Sequence, residues 1–96
     1  MNNKLIRFWF KFDNNTNLVP LGLVCGCGIT AFNYDDALNI MKEKIFKEEN
    51  IPEIIIKIEN VDICTLDQGH VVPNMYSPNY RGIWFPIGYH ENKSSV

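Results

Sequence analysis

The sequence lacks the features that mark several large functional classes. Nine lysines and arginines stand against eleven acidic side chains, a formal net charge of −2. Proteins that bind nucleic acid usually carry a basic stripe that meets the phosphates, so we expect no nucleic-acid partner. Three cysteines, an odd number, do not predict a disulfide framework. No apolar run approaches the roughly 20 residues that cross a bilayer, so we expect no membrane partner.

The N-terminus also lacks the pattern of a secretory leader. Arg7 comes before any apolar stretch of signal-peptide length, and a reducing cytoplasm is therefore the expected localisation. A length of 96 residues with 46% hydrophobic content predicts one folded domain over residues 1–96. The polar end at 91–96 is expected to be a flexible tail.

What the sequence does contain is a regular alternation of apolar and polar residues. Strands are predicted at 4–12, 21–32, 53–59 and 81–87, and a helix at about 34–48 after an N-cap at Asn33. Pro86 predicts that the last strand lies at a sheet edge, because proline cannot donate to a ladder. The predicted fold is α+β, a four-stranded mostly antiparallel sheet with one helix on one face, in the order β-β-α-β-loop-β.

The same alternation predicts which side chains face the core. These are Ile6, Phe8, Phe10 and Phe12, then Cys25, Cys27 and Ile29, then Ile54, Ile56 and Ile58, then Ile83, Phe85 and Ile87, with the helix stripe Tyr34, Ala37, Leu38, Met41 and Ile45. On the opposite face of the second strand, Gly22, Gly26 and Gly28 leave bare backbone. Trp9 is expected to lie across that backbone.

Metal and cofactor sites receive little support from the spacing. Cys25 and Cys27 with Cys64, His70 or His90 contain ligand types for zinc, but neither a C-x-x-C nor an H-x-x-x-H pair is present. Buried cysteines on an apolar strand face favour core packing instead. Residues 26–31 match G-x-G-x-x-A, yet the alternation continues through the glycines and the chain is too short for a doubly wound sheet. No cofactor and no metal are expected.

Cys64, Asp67 and His70 are the candidate catalytic residues. They supply the types needed for a thiol nucleophile, an orienting carboxylate and a base. Asp67 and His70 lie three residues apart, so a helical turn places them side by side. The alternative is structural, since Thr65 and Gln68 match a capping box. His70 then holds the loop by hydrogen bonds.

The candidate binding residues are Asn74, Tyr76, Asn79, Tyr80, Arg81 and Trp84. Tyr, Trp and Arg are enriched at binding hot spots, and Pro73, Pro78 and Gly82 shape the loop that carries them. The alternative is an ordered loop whose aromatic side chains fold back over Trp9 and the glycine face. The sequence leaves both interpretations open.

Three stretches together resemble a small bacterial family of single-domain proteins to which no activity is attached. They are RFWFKF at 7–12, GCGITAF at 26–32, and TLDQGHVVPNM followed by RGIWFP within 65–86. The resemblance implies a bacterial, cytoplasmic protein and transfers no functional residue.

Together these observations favour a cytosolic domain that binds another protein through the 74–84 loop. An immunity or antitoxin protein that covers a toxin is the example that the acidic balance suggests. Two alternatives remain. One is a small enzyme or ligand-binding domain using Cys64, Asp67 and His70. The other is a homodimer that pairs through the Trp9 face or an exposed strand edge.

Overall fold

The computed structural model describes residues 4–13, 23–47 and 50–87. Its main elements are β1 (Ile6–Phe12), β2 (Cys27–Ala31), α1 (Tyr34–Met41), β3 (Ile54–Glu59) and β4 (Gly82–Phe85). The strands form one antiparallel sheet in the order β3-β1-β2-β4. The predicted α+β fold and element order are confirmed, and β4 lies at an edge. Residues 14–22, 88–90 and the predicted tail at 91–96, with His90 and Gly22, lie outside the described residues.

The helix begins where the sequence predicts and is capped on its first turn. Asn33 Oδ1 accepts a hydrogen bond from Asp36 N at 2.8 Å, which satisfies one of the free amides at the helix start. The α-helix ends at Met41 and continues as a π-helical turn over Lys42–Phe46. Lys47 then adopts a left-handed conformation with φ 51°, which ends the predicted 34–48 helix. Within the described ranges, no helix has the length and apolar character needed to cross a membrane.

The face of the sheet under α1 carries the larger hydrophobic core, the helix-side core. It is formed by Phe8, Phe10, Phe12, Leu23, Cys27, Ile29, Ala31, Ala37, Ile40, Met41, Ile45, Phe46 and Ile83. Phe8 and Phe10 stack with ring centroids 5.7 Å apart. The predicted β1 face and helix stripe therefore meet, and burial of this apolar surface drives their packing.

The opposite face carries two tryptophans on a glycine-lined strip of β2. Trp9 and Trp84 stack with ring centroids 5.9 Å apart. A β-carbon on Gly28 would lie 2.5 Å from the Trp84 ring, and one on Gly26 would overlap the Trp9 ring. Among the described residues, Trp84 Nε1 has no hydrogen-bond partner, so packing holds the indole. The expected cover of the glycines by Trp9 is confirmed at Gly26, while Trp84 covers Gly28.

The segment between β3 and β4 closes over this pair. Val61, Leu66 and Val71 are buried against the tryptophans. With Trp9, Trp84 and Phe85 they form a second cluster, the loop-side core. The sheet is therefore covered by a helix on one face, and on the other face residues 60–81 cover the tryptophans of β1 and β4.

Because β4 contains a bulge, its last residues face the opposite side of the sheet from the one predicted. Ile83 pairs with Ile29, but the next pair is Phe85 with Gly28. Trp84 is thus the extra residue, and a bulge shifts the alternation of the residues that follow it. Phe85 consequently joins Trp84 in the loop-side core, not Ile83 in the helix-side core. Ile87 is exposed.

β3 departs from prediction for the same reason. Its pairing with β1 shifts between Ile54 and Ile56, opposite Phe12 and Lys11. Ile54 packs against the helix-side core, but Ile56 and Ile58 lie on the opposite face and are exposed. The expectation that all three isoleucines face the core is therefore wrong.

The alternation also predicts wrongly that Cys25 faces the core. The chain turns at Leu23, where Gly26 N donates to Leu23 O at 3.0 Å, and β2 starts only at Cys27. Cys25 is exposed, while Cys27 is buried as expected. Burial raises the pKa of the Cys27 thiol strongly, so it behaves as a small core side chain.

Replacing Gly28 by alanine tests the tryptophan packing. The added methyl group displaces the Trp84 indole, and overpacking of this kind destabilises by about 1–3 kcal/mol. Chemical unfolding followed by tryptophan fluorescence measures the loss. Gly69→Ala is the matched control, because a β-carbon there lies 3.5 Å from Asp67 Oδ1, an ordinary contact. Equal stability of the two variants would contradict the packing described here.

Candidate functional site

Residues 60–81 contain short helical turns instead of an open loop. A 3-10 turn at Ile63–Thr65 is capped by Asp62, whose Oδ1 accepts from Cys64 N at 3.0 Å. Thr65 Oγ1 donates to Asp62 O at 2.6 Å, and Gln68 Nε2 donates to Leu66 O at 2.9 Å. The predicted capping box between Thr65 and Gln68 is therefore replaced by an Asp62 cap.

Asp67 organises the next turn and holds His70. Its Oδ1 accepts from Gly69 N at 2.8 Å and from His70 N at 3.1 Å. Its Oδ2 lies 3.0 Å from His70 Nδ1, as the three-residue spacing predicted. The hydrogen bond from the Gly69 amide is the largest cause that lowers the pKa of Asp67, and the hydrogen bond from the His70 ring is the next. Hydrogen bonds to a carboxylate favour its charged form.

Cys64 does not complete this pair. The thiol is exposed, and among the described residues no hydrogen bond joins it to Asp67 or His70; the hydrogen bonds of Cys64 use its backbone N and O. Asp67 therefore orients the His70 imidazole, but Cys64 is not hydrogen-bonded to that ring as a nucleophile would be. In the described part of the chain, no three His, Cys, Asp or Glu side chains are grouped to hold a metal ion.

Beyond His70, the segment is bonded to the sheet at successive points. Tyr76 N donates to Trp84 O at 2.8 Å. Thr30, a buried threonine on β2, donates from Oγ1 to Pro78 O at 2.6 Å. Asn74 Nδ2 donates to His70 O at 2.9 Å, which links this stretch to the Asp67 turn. Together these hydrogen bonds fix the local backbone.

Arg81 ties the end of the segment to the start of α1. Its Nε and Nη2 donate to Asp36 Oδ2 at 2.9 Å and Oδ1 at 2.5 Å, a bidentate contact. Asp36 Oδ2 also accepts from Phe32 N at 3.0 Å. The Arg81 hydrogen bond is the main cause that lowers the pKa of Asp36. Sequence reasoning missed this contact, because 45 residues separate its partners.

The outward side of the segment is rich in tyrosine and asparagine. Tyr80 is 72% exposed and Tyr76 41% exposed, and Asn74 and Asn79 are exposed as well. We call these four residues the tyrosine surface. Trp84, expected on the binding surface, is instead 1% exposed and belongs to the loop-side core. The interpretation in which aromatic side chains fold back over Trp9 is thus confirmed for Trp84, while the tyrosines remain outside and binding through them stays a prediction.

Comparisons with models of known protein families, with curated proteins and with solved structures return no match to this chain. The geometry itself offers two features, an oriented Asp67–His70 pair and an exposed tyrosine surface on an anchored backbone.

The Asp36–Arg81 contact predicts a pH-dependent contribution to stability. Asp36→Asn should lower the free energy of unfolding at neutral pH by about 1 kcal/mol, since solvent screens the half-exposed Arg81. Because the folded state lowers the pKa of Asp36, acid favours the unfolded chain. The difference from wild type should therefore shrink as the pH falls below about 4. Urea unfolding at several pH values measures it.

Asp35→Asn is the control for this prediction, because Asp35 is an exposed acid in the same helical turn. It removes the same charge from the helix N-terminus without touching Arg81. An equal loss in both variants would show that the helix dipole, not the Arg81 contact, accounts for the effect.

Proposed function

We propose that this protein is a protein-binding domain that docks on its partner through the tyrosine surface. The observation that carries the proposal is the exposure of Tyr80 on a backbone anchored on both sides. Before it, the Pro78 carbonyl accepts from Thr30. After it, Arg81 is held by Asp36.

Anchoring favours binding because it lowers the entropy that is lost when a surface meets its partner. Tyrosine adds a large apolar area and a hydroxyl with only two rotatable side-chain angles, which is why it is common at contact surfaces. A large aromatic side chain left in water gains its burial free energy only when a partner covers it. Tyr76 and Tyr80 are the contact residues in this proposal, and Arg81 is a positioning residue.

The charges around the surface indicate the kind of partner. Asp62 and Asp67 are exposed on the same segment. Its arginine, Arg81, is already paired with Asp36, while Asp67 contacts the His70 ring and Asp62 makes no salt bridge among the described residues. The segment therefore presents negative charge, which complements a basic partner surface and speeds association. A bacterial, cytosolic immunity or antitoxin protein that covers a basic catalytic cleft is the version of this proposal that we favour, by analogy of class.

The experiment is affinity capture with the tagged chain from its native cells, followed by a dissociation constant measured with the purified partner. The Tyr76→Ala, Tyr80→Ala double variant should weaken binding at least about tenfold, because truncating hot-spot aromatics removes about 2 kcal/mol or more. Ile55→Ala is the control, since Ile55 is also exposed but lies on β3.

A stoichiometric partner that binds wild type and the control equally, and the double variant weakly, supports the proposal. Loss of the partner's own activity in the complex would support the immunity or antitoxin version. Unchanged affinity of the double variant would overturn the tyrosine surface as the docking site.

A further inference from the structure

β3 forms an edge of the sheet and exposes apolar side chains there. In the described part of the chain, its one sheet neighbour is β1. Ile55, Ile56 and Ile58 are 56%, 41% and 42% exposed. Natural proteins usually protect such edges with proline, with charges or with a covering segment. The other edge, β4, is followed by Pro86 and receives a hydrogen bond from Tyr76 N at Trp84 O.

The two faces of the β3 edge differ in chemistry. Ile58 lies beside Trp9, on the face covered by residues 60–81. Lys57 and Glu59 point to the helix side, opposite Phe10 and Phe8, and their charged groups lie 3.6 Å apart. An apolar row and a pair of opposite charges therefore run along the same exposed strand.

These features fit a second copy of the same strand. Two identical strands that pair antiparallel are related by a two-fold axis perpendicular to the sheet, so one residue faces itself at the centre. If the axis passes at Lys57, the lysines of the two copies face each other. If it passes at Glu59, the two glutamates face each other. Centring on Ile56 places Glu59 opposite the partner's Glu53. Like charges directly opposite are destabilising.

Centring on Ile55 would put the bulged residue at the axis, where regular pairing is interrupted. Centring on Ile58 overlaps the two strands over residues 57–59 and pairs both charged residues of β3. Lys57 then faces Glu59 of the second copy, twice by symmetry, and the two Ile58 side chains meet at the axis. Opposite charges and β-branched pairs across strands are stabilising. We propose that two copies of this chain pair through β3 in this register, which joins their sheets into one. The proposal does not depend on the tyrosine surface.

Sedimentation equilibrium of the full chain from about 10 µM to 1 mM tests the pairing, a range suited to a small interface. Wild type should shift from the monomer to the dimer mass with concentration. Lys57→Glu and Glu59→Lys should each raise the dimer dissociation constant at least about tenfold, because each opposes like charges twice. The double exchange Lys57→Glu, Glu59→Lys should restore it.

Mixing the two single variants gives the sharpest result, because positions 57 and 59 are both acidic in the first variant and both basic in the second. A heterodimer should form where neither variant dimerises alone. Lys42→Glu on the exposed side of the helix is the charge-matched control and should dimerise like wild type. Ile58→Lys, which opposes two lysines at the axis, should remain monomeric with an unchanged thermal unfolding midpoint.

A monomer mass for wild type across the whole range would overturn the proposal. A dimer that survives both single charge reversals and Ile58→Lys would overturn the β3 register and place the contact elsewhere.

Discussion

The stacking of Trp9 and Trp84 on the glycine strip of β2 is the constraint on which the rest of the molecule depends. Gly26 and Gly28 leave space on the backbone, and any larger side chain would push the indoles away. Once the two rings lie there, they form a large apolar surface that must be kept from water. The described chain has one α-helix, which already covers the other face. The connection between β3 and β4 therefore becomes the second cover.

Because residues 60–81 cover the tryptophans, one side of this segment is packed and the other side faces solvent. Its inward side chains, Val61, Leu66 and Val71, pack on the tryptophans, so the backbone that carries its outward side chains is anchored. Arg81 and Asp36 then connect the loop layer to the helix layer across the edge of the sheet. The proposed docking surface would therefore need little ordering on contact. Trp9 itself is buried, whereas β3 is an edge strand with exposed isoleucines in the described part of the chain.

The amino-acid sequence is sufficient to predict the elements and their order, because these depend on local alternation and helix capping. Asn33 and the apolar spacing from Tyr34 to Ile45 identify the helix, and the phenylalanines of β1 identify its buried face. The bulges at Ile55 and Trp84 were not predictable in this way. A bulge adds one residue to one strand and reverses the facing of the next, and strand pairing, which is non-local, decides where it occurs.

The site was predictable only where its contacts are short in sequence. The spacing of Asp67 and His70 was enough to place them together. The inward turn of Trp84 and the Arg81–Asp36 contact depend on the packed sheet. Residue type alone had favoured Trp84 and Arg81 as surface contacts. Residue type was enough to propose the segment as a binding surface, which stays a prediction, whereas tertiary packing decided which of its side chains remain exposed.

Amide hydrogen exchange of the free protein tests most directly the central claim that residues 60–81 are an ordered cover. The Tyr76 amide donates to Trp84 O, and the Val71 amide donates to Asp67 O. Both should exchange slowly, with protection comparable to that of strand amides such as Ile29, because opening them requires the cover to leave the tryptophans. Exchange of both amides at the rate of an unfolded chain, with β2 still protected, would contradict the account.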